Sequence, residues 1–243
     1  MTGGRDFASH TRRAGFLDLW RGLSVVLMVL MHTMFQCEEV WNLRMWVLHW
    51  WLYPWLHLLF AGSFIFIAGL CTRLTRSNLR RGVQVLQWAA LVTVVSLLIP
   101  TGIPIYFGVL HCLGTMMVLF GLIERTPLER AVRPAAFVVW AGLFVVAWQW
   151  YQTAPNGSWL TLILGMPPPI IMGDYYPLIP YLPLFLAGAS LGGLVAQGRG
   201  PNWLYEAHLP VLNAVGRNAL LVYLLHLPIV FLLLLILFGW PPM

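Results

Sequence analysis

The segment at residues 16–36 is long and apolar enough to cross a membrane, yet it carries three ionisable side chains, Asp18, Arg21 and His32. A helix turns about 100° per residue, so Arg21 and His32 lie only about 20° apart around its axis, and Asp18 lies about 40° from His32. The three side chains therefore form one stripe, spread over about 20 Å of helix. Ionisable groups inside a membrane are costly, and they usually mark a pathway or a site.

The whole chain has the composition of a membrane protein. Of its 243 residues, 60% are hydrophobic and only 9% are charged, which excludes an ordinary soluble domain. We predict an all-α, polytopic membrane helix bundle that forms a single domain over residues 1–243. About seven transmembrane helices are expected, at residues 16–36, 51–72, 83–100, 105–123, 135–152, 178–196 and 216–238.

The distribution of arginine predicts the orientation of this bundle. Eight arginines lie in the loops 73–81 and 125–133 and at Arg199, whereas the opposite loops hold only Arg44. Three more precede the first span, at Arg5, Arg12 and Arg13. By the positive-inside rule, the N-terminus is cytoplasmic and the C-terminus is outside. Short arginine-containing loops between apolar spans serve membrane topology, so we expect membrane lipid and no nucleic acid as a partner.

With this orientation, polar side chains from four segments share one depth near the outer face. They are His32, His57, Tyr106, His111 and Asp174. A histidine can accept a proton at neutral pH, and a nearby carboxylate can fix its tautomer. We interpret this cluster as a candidate site for group transfer. Asp174 alternatively caps the sixth span, which begins a few residues later.

A second polar group is expected at the cytoplasmic end, where Asp18, Arg21, Arg217 and Asn218 lie. Guanidinium groups bind phosphate through charge-assisted hydrogen bonds, so this end predicts a phosphorylated donor. Asp18 and Arg21 are three residues apart, and their alternative role is an ion pair that only anchors the topology.

The histidines also have structural interpretations. His32 can be a buried histidine that bonds to a neighbouring carbonyl, and His111 and His226 can bond between helices. His49 and His57 lie in a tryptophan-rich segment that is typical of the membrane interface. The shared depth of these side chains, rather than any one residue, favours a functional interpretation.

Five motifs follow one another along the chain. They are Leu17–Gly22 (LDLWRG) followed by Met28 and His32, Phe64–Gly69 (FIFIAG), Tyr106–Gly114 (YFGVLHCLG), Asp174–Gly192 (DYYPLIPYLPLFLAGASLG) and Val215–Pro228 (VGRNALLVYLLHLP). Their order and spacing resemble the bacterial members of the heparan-α-glucosaminide N-acetyltransferase catalytic-domain family. The resemblance implies an integral-membrane acyltransferase in the bacterial cytoplasmic membrane. In the animal enzyme, cytosolic acetyl-CoA donates an acetyl group to a terminal glucosamine amine on the lumenal side.

The resemblance leaves more than one candidate for the catalytic base. The animal pattern has asparagine where this chain has His32, and its proposed catalytic histidine falls roughly at His49. We rank His32 first as the base, His111 second and His49 third. Asp174 would orient the base or the acceptor.

The two substrates are assigned to the two ends of the bundle. The donor, acetyl-CoA or another acyl-CoA, would be bound by Asp18, Arg21, Arg217 and Asn218. The acceptor would be an amine or hydroxyl, on a sugar or glycolipid, at the outer membrane–water interface. It would contact Tyr106, Tyr175, His57 and His226. We expect no metal, and self-association into a homo-oligomer is left open.

Two other classes of function compete with this interpretation. Several histidines in helices can ligate haem, as in a membrane electron-transfer protein, although no helix carries two histidines at a haem-like separation. A transporter or flippase without group-transfer chemistry is the other alternative. Its usual sign, paired interrupted helices in two repeated halves, is not visible in the sequence.

Overall fold

The computed structural model describes residues 14–98 and 103–241, where the regular structure is helical apart from an isolated bridge between Phe107 and Tyr175. The helices are α1 (Gly15–Glu39), α2 (Tyr53–Leu70), α3 (Asn78–Leu98), α4 (Val109–Ile123), α5 (Phe137–Thr153), α6 (Leu178–Ala196), α7 (Asn202–Glu206), α8 (Pro210–Arg217) and α9 (Ala219–Phe238). Short 3₁₀ helices occur at Trp46–His49, Cys71–Leu74, Pro127–Val132, Pro134–Ala136 and Leu162–Leu164. The predicted all-α class is confirmed. Arg5, Arg12, Arg13 and the predicted end of the third span at residue 100 lie outside the described residues.

Within the described ranges, six helices are long and apolar enough to cross a membrane, and they include α1, α2, α3, α5, α6 and α9. The protein is therefore a multi-pass membrane protein. The predicted fourth span corresponds to α4, which has only 15 residues. At about 1.5 Å per residue it is shorter than the hydrocarbon core. The shorter length is compatible with its position, because most residues of α4 are buried among other helices.

The predicted last span, 216–238, differs from the structure at its start. The chain leaves helical geometry at Asn218, so α8 and α9 are separate helices. The Asn218 side chain donates a hydrogen bond to the carbonyl oxygen of Ala214, 2.9 Å away, at the end of α8. Only α9 is apolar enough to cross the membrane.

The short helix α8 packs closely along the first half of α1. Gly22 and Gly216 make this possible, because a Cβ at Gly22 would overlap the carbonyl oxygen of Leu212, and one at Gly216 would overlap that of Asp18. Glycine is the residue that permits such an approach between two backbones. The contact brings Arg217, at the end of α8, to the same end of the bundle as the first turns of α1.

The helices alternate in direction, so the connecting segments collect at two ends of the bundle. We call the end with the loops 71–77 and 124–136 the arginine end. There Arg73 donates a hydrogen bond to Glu129 at 2.7 Å and joins the two loops. We call the end with the segments 40–52 and 154–177 the histidine end.

The core of the bundle lies around α4 and α6. Met116 and Phe120 of α4 and Phe185 of α6 are almost completely buried, and the two phenylalanine rings meet edge to face at 6.3 Å. By contrast, none of the residues in α5 is buried. The middle of the molecule is therefore well packed around α4 and α6.

Candidate active site

A cavity of about 870 Å³ lies among α1, α2, α3, α4 and α9 and extends from the arginine end to the histidine end. Arg21 and Arg217 line it at the arginine end, and His32 and Asp174 line it at the histidine end. Its volume is within the range of about 300–1,000 Å³ that is usual for small-molecule sites. The cavity therefore connects the two polar groups that the sequence places at opposite ends of the bundle.

Arg21 is positioned by two neighbours. Its Nη1 lies 3.2 Å from Oδ1 of Asp18, and its Nη2 lies 3.1 Å from Sγ of Cys71 in the 3₁₀ turn after α2. The ion pair with Asp18, foreseen as a structural alternative, is present. The guanidinium group nevertheless lines the cavity. Asp18 does not line the cavity, and its carboxylate pairs with Arg21.

Two further arginines line the same end. Arg81, in the first turn of α3, donates a hydrogen bond to Oγ1 of Thr75 at 3.1 Å. Arg217 is exposed, and no residue in the described part of the chain forms a hydrogen bond or ion pair with it. Together with Arg21 they give this mouth a positive charge. In the sequence, Arg81 indicates only the membrane topology, and no local pattern reveals its position in the cavity.

Asn218 is predicted to bind the donor, and the structure places it outside the cavity lining. Its side chain is exposed, does not line the cavity, and bonds to the end of α8. Because the helix breaks at this residue, its side chain caps the C-terminal end of α8. The continuous apolar pattern of 219–238 gave no sign that a separate helix precedes it.

His32 forms a hydrogen-bonded pair with His226. Nδ1 of His32 lies 2.8 Å from Nε2 of His226, and Nδ1 of His226 lies 2.6 Å from the carbonyl oxygen of Tyr223. Because a carbonyl oxygen only accepts, Nδ1 of His226 carries a hydrogen. With both rings neutral, Nε2 of His226 then accepts from Nδ1 of His32. Nε2 of His32 is left with a free lone pair, and no described residue bonds to it.

Asp174 is buried at the junction of three elements. Its Oδ2 accepts hydrogen bonds from the backbone N–H of Val109, at 2.9 Å, and from the hydroxyl of Tyr223, at 2.7 Å. The carboxylate therefore caps α4, whereas the structural alternative had been a cap on the sixth span. Asp174 is linked to the histidine pair only through Tyr223. The hydroxyl of Tyr223 donates to Asp174, and its carbonyl oxygen accepts from Nδ1 of His226. Sequence reasoning missed Tyr223, which lies in a predominantly aliphatic helix.

A second histidine, His57, lines the cavity from α2. Its Nε2 lies 2.9 Å from the hydroxyl of Tyr176, and the two rings are stacked at 5.8 Å. Burial, with the charge of Asp174 nearby, raises the pKa of Tyr176, so its hydroxyl keeps its proton and can donate to His57. The preceding Tyr175 also lines the cavity, and its hydroxyl bonds to the carbonyl oxygen of Leu162 at 2.6 Å.

His111, ranked second as the base, has both ring nitrogens engaged. Nδ1 accepts from the backbone N–H of Gly108 at 3.3 Å, and Nε2 lies 3.2 Å from Oγ1 of Thr93. Since that hydroxyl donates to the carbonyl oxygen of Ile105, it accepts from Nε2 of His111. His111 does not line the cavity. This geometry favours the structural interpretation, in which His111 stabilises the start of α4.

His49 and Tyr106 also lie outside the cavity lining. His49 is exposed in a 3₁₀ turn and pairs with Glu38 at the end of α1. The Tyr106 ring packs edge to face against Trp159, with centroids 4.8 Å apart. Of the residues predicted at the histidine end, the structure therefore brings His32, His57, Asp174 and Tyr175 to one cavity. It places His226 directly behind His32.

A smaller cavity of about 60 Å³ adjoins His32 on the side away from the arginines. His32, Gln36, Ser96 and Asp174 contribute to its wall. The side-chain oxygen of Gln36 is buried there and has no hydrogen-bond partner among the described residues. A buried amide oxygen without a donor is costly, so this position favours a ligand that carries an N–H or O–H group.

Comparison with protein families gives a match to the family described as Heparan-alpha-glucosaminide N-acetyltransferase, catalytic, over residues 13–228. The chain belongs to this family. The matched range includes every candidate residue discussed above, from Asp18 to His226. No curated protein and no solved structure matches the chain. The described residues contain no group of three or more histidine, cysteine or carboxylate side chains placed for a metal ion, and the proposals below use none.

Proposed function

We propose that the protein is a transmembrane acyltransferase. It moves an acetyl or other acyl group from cytosolic acyl-CoA to an amine or hydroxyl, on a sugar or glycolipid, at the outer membrane–water interface. The observation that carries this proposal is the single cavity that joins the arginine end to Nε2 of His32. Membership of an N-acetyltransferase family supports group transfer over the haem-protein and transporter alternatives.

The arginine end suits the donor. Arg21, Arg81 and Arg217 line the cavity there, and Asp18 pairs with Arg21. Clustered guanidinium groups at a water-accessible mouth attract and hold phosphate. In the orientation predicted by the positive-inside rule, this mouth faces the cytosol, where acyl-CoA is present.

The histidine end suits the chemistry. Nε2 of His32 takes the proton from the acceptor as the acceptor's nitrogen or oxygen bonds to the acyl carbon. The carbon–sulfur bond of the thioester breaks, and the proton returns to the departing thiolate. His226 keeps the required tautomer of His32, because its own Nδ1 is committed to the Tyr223 carbonyl. This is the role that an orienting partner has in acyl-transfer sites.

The acceptor has a defined place beside the base. The small cavity next to His32 presents the unpartnered oxygen of Gln36 and the carboxylate of Asp174, which are both hydrogen-bond acceptors. Amine and hydroxyl groups are donors, so both fit this wall. His57 and Tyr175 line the larger cavity at the same end and would contact the remainder of the acceptor.

The test uses purified protein in closed vesicles with labelled acetyl-CoA on one side at a time. Release of free thiol and appearance of label in lipid or added amino sugar are measured together. We expect turnover only when the donor is on the side of the arginine end, with product on the opposite side. Cysteine labelling near Ser77 and near Asn156 assigns these sides, since the two positions lie at opposite ends of the bundle.

Two results would contradict the proposal. Turnover with the donor on the side of Asn156 would reverse the assigned direction. Absence of both thiol release and coenzyme A binding in folded protein would remove the acyltransferase assignment itself. Label retained on wild-type protein after gel filtration but absent from His32→Ala would show that His32 carries the acyl group, whereas label found only in the product indicates direct transfer.

A further inference from the structure

Ser24 has a buried hydroxyl group that the proposed chemistry does not use. It is one of the few polar residues in the middle of α1, it is 4% exposed, and it lines the large cavity. Its Oγ is buried and forms no hydrogen bond with any described residue. Buried polar groups are normally satisfied, so an exception requires a specific explanation.

Other buried or half-buried hydroxyl groups in the bundle satisfy themselves. Thr33, on the same helix, donates to the carbonyl oxygen of Val29 at 2.7 Å, and Ser190 of α6 donates to that of Leu186 at 2.9 Å. This bond to the carbonyl four residues earlier is the usual solution inside helices. Ser24 does not form it, which leaves its hydroxyl available to a molecule in the cavity.

The close contact between α1 and α8 does not account for a small residue at this position. The contact between α1 and α8 is made through Gly22, and Ser24 lies about 200° further around the helix axis. Ser24 is only about 60° from Arg21 and about 80° from His32, so it lies on the polar stripe. Its place along the cavity is between the arginine mouth and the base.

The spacing along α1 matches the dimensions of an acyl-CoA. At about 1.5 Å per residue, His32 is about 16 Å from Arg21 and about 12 Å from Ser24 along the axis. An extended covalent chain advances about 1.2 Å per bond, so the roughly thirteen bonds from the thioester sulfur to the first phosphorus span about 16 Å. On the same scale, the amide nearer to the phosphates and the adjacent hydroxyl group lie about 9 to 11 Å from the sulfur.

We propose that the hydroxyl of Ser24 hydrogen-bonds to the phosphate-proximal amide or hydroxyl of the donor's pantetheine arm. With the phosphates at Arg21, this contact sets the depth of the thioester beside Nε2 of His32. Ser24 is then a residue that recognises the arm rather than the charge of the donor. This inference rests on the proposed function, because it requires acyl-CoA in the large cavity.

The test compares two ligands on wild-type protein, Ser24→Ala and Ser190→Ala. Coenzyme A carries the arm, and adenosine 3′,5′-bisphosphate carries nucleotide phosphates without it. Ser24→Ala should weaken coenzyme A binding about three- to tenfold, the range for loss of one hydrogen bond, and leave bisphosphate binding unchanged. Ser190→Ala removes a hydroxyl outside the cavity and should alter neither affinity.

Thermal unfolding of the ligand-free protein separates this role from a structural one. Because Ser24→Ala removes an unsatisfied group, it should not lower the melting temperature, whereas Ser190→Ala removes a formed hydrogen bond and should lower it. Unchanged coenzyme A affinity, or an equal loss for both ligands, overturns the role of Ser24. If wild-type protein releases thiol from acetyl-CoA and Ser24→Ala retains full affinity, only this inference fails. If wild-type protein does not bind coenzyme A, the proposed function fails with it.

Discussion

The two ends of the cavity differ in how their polar side chains are held. At the arginine end, Arg81 and Arg217 are exposed, and no described residue bonds to Arg217. At the histidine end, His32 and His226 belong to a continuous set of hydrogen bonds. The first arrangement leaves two of the three arginine side chains open to water, although Arg21 is held by Asp18 and Cys71. The second fixes the position and tautomer of a nitrogen. Binding and release of a long, flexible donor tolerate loosely held charges, but proton transfer requires groups held within hydrogen-bonding distance of the reacting atoms.

His32→Ala provides the largest test of this difference. It should lower the rate of acyl transfer by about 10²–10⁴-fold, the usual effect of losing a positioned base. Coenzyme A affinity should remain at the wild-type value, because the arginine end is intact. Turnover and ligand binding are measured on the same folded preparation. His208→Ala, an exposed histidine outside the cavity, is the matched control. Normal turnover by His32→Ala would remove the functional contrast between the two ends.

His226→Ala should have the next largest effect. The base remains, but neither its tautomer nor its orientation is fixed, and loss of such a partner costs about 10- to 100-fold in other histidine sites. The rate with bound donor is the quantity to measure. Coenzyme A affinity should again be unchanged. A loss as large as that of His32→Ala would mean that the two rings act as one unit, and no loss would mean that His226 is only structural.

Arg21→Ala should act on binding rather than on the chemical step. A charge-assisted hydrogen bond is worth about 1.5–3 kcal/mol, so donor affinity should fall by about tenfold or more. The rate at saturating donor should change little. Arg130→Ala, which removes an exposed charge at the same end but outside the cavity, should leave affinity unchanged. Should Arg21→Ala bind coenzyme A normally, Arg21 is a topology residue paired with Asp18.

The smallest effect is expected for His49→Ala. His49 forms a hydrogen bond with Glu38 at the exposed end of α1, so its loss removes no group from the cavity. Turnover should stay within about threefold of wild type, since His49 does not line the cavity. This variant is informative because the animal family pattern places its proposed catalytic histidine near this position. A loss larger than that of His32→Ala would transfer the role of base to His49.

Much of the fold follows from local patterns in the sequence, but the partners within the site do not. Helical periodicity predicts that Arg21 and His32 share a face, and both line the cavity. Two side chains at the same depth in a membrane can point in different directions around their helices. The sequence therefore groups His111 with His32, although the His111 ring bonds to Gly108 and Thr93. Tyr223 forms its contacts with residues distant in sequence or through its backbone, and no local pattern reports such contacts.

The middle of the large cavity has a consequence for the membrane itself. Between its two polar ends, side chains such as Met28, Phe64, Leu113 and Met117 line the wall. A water-filled path across a bilayer would let protons and ions run down their gradients, and apolar walls oppose this because they offer an ion no solvation. The same lining accommodates the uncharged arm of a donor. We therefore expect this lining to limit the leakage of ions through the protein across an energised membrane.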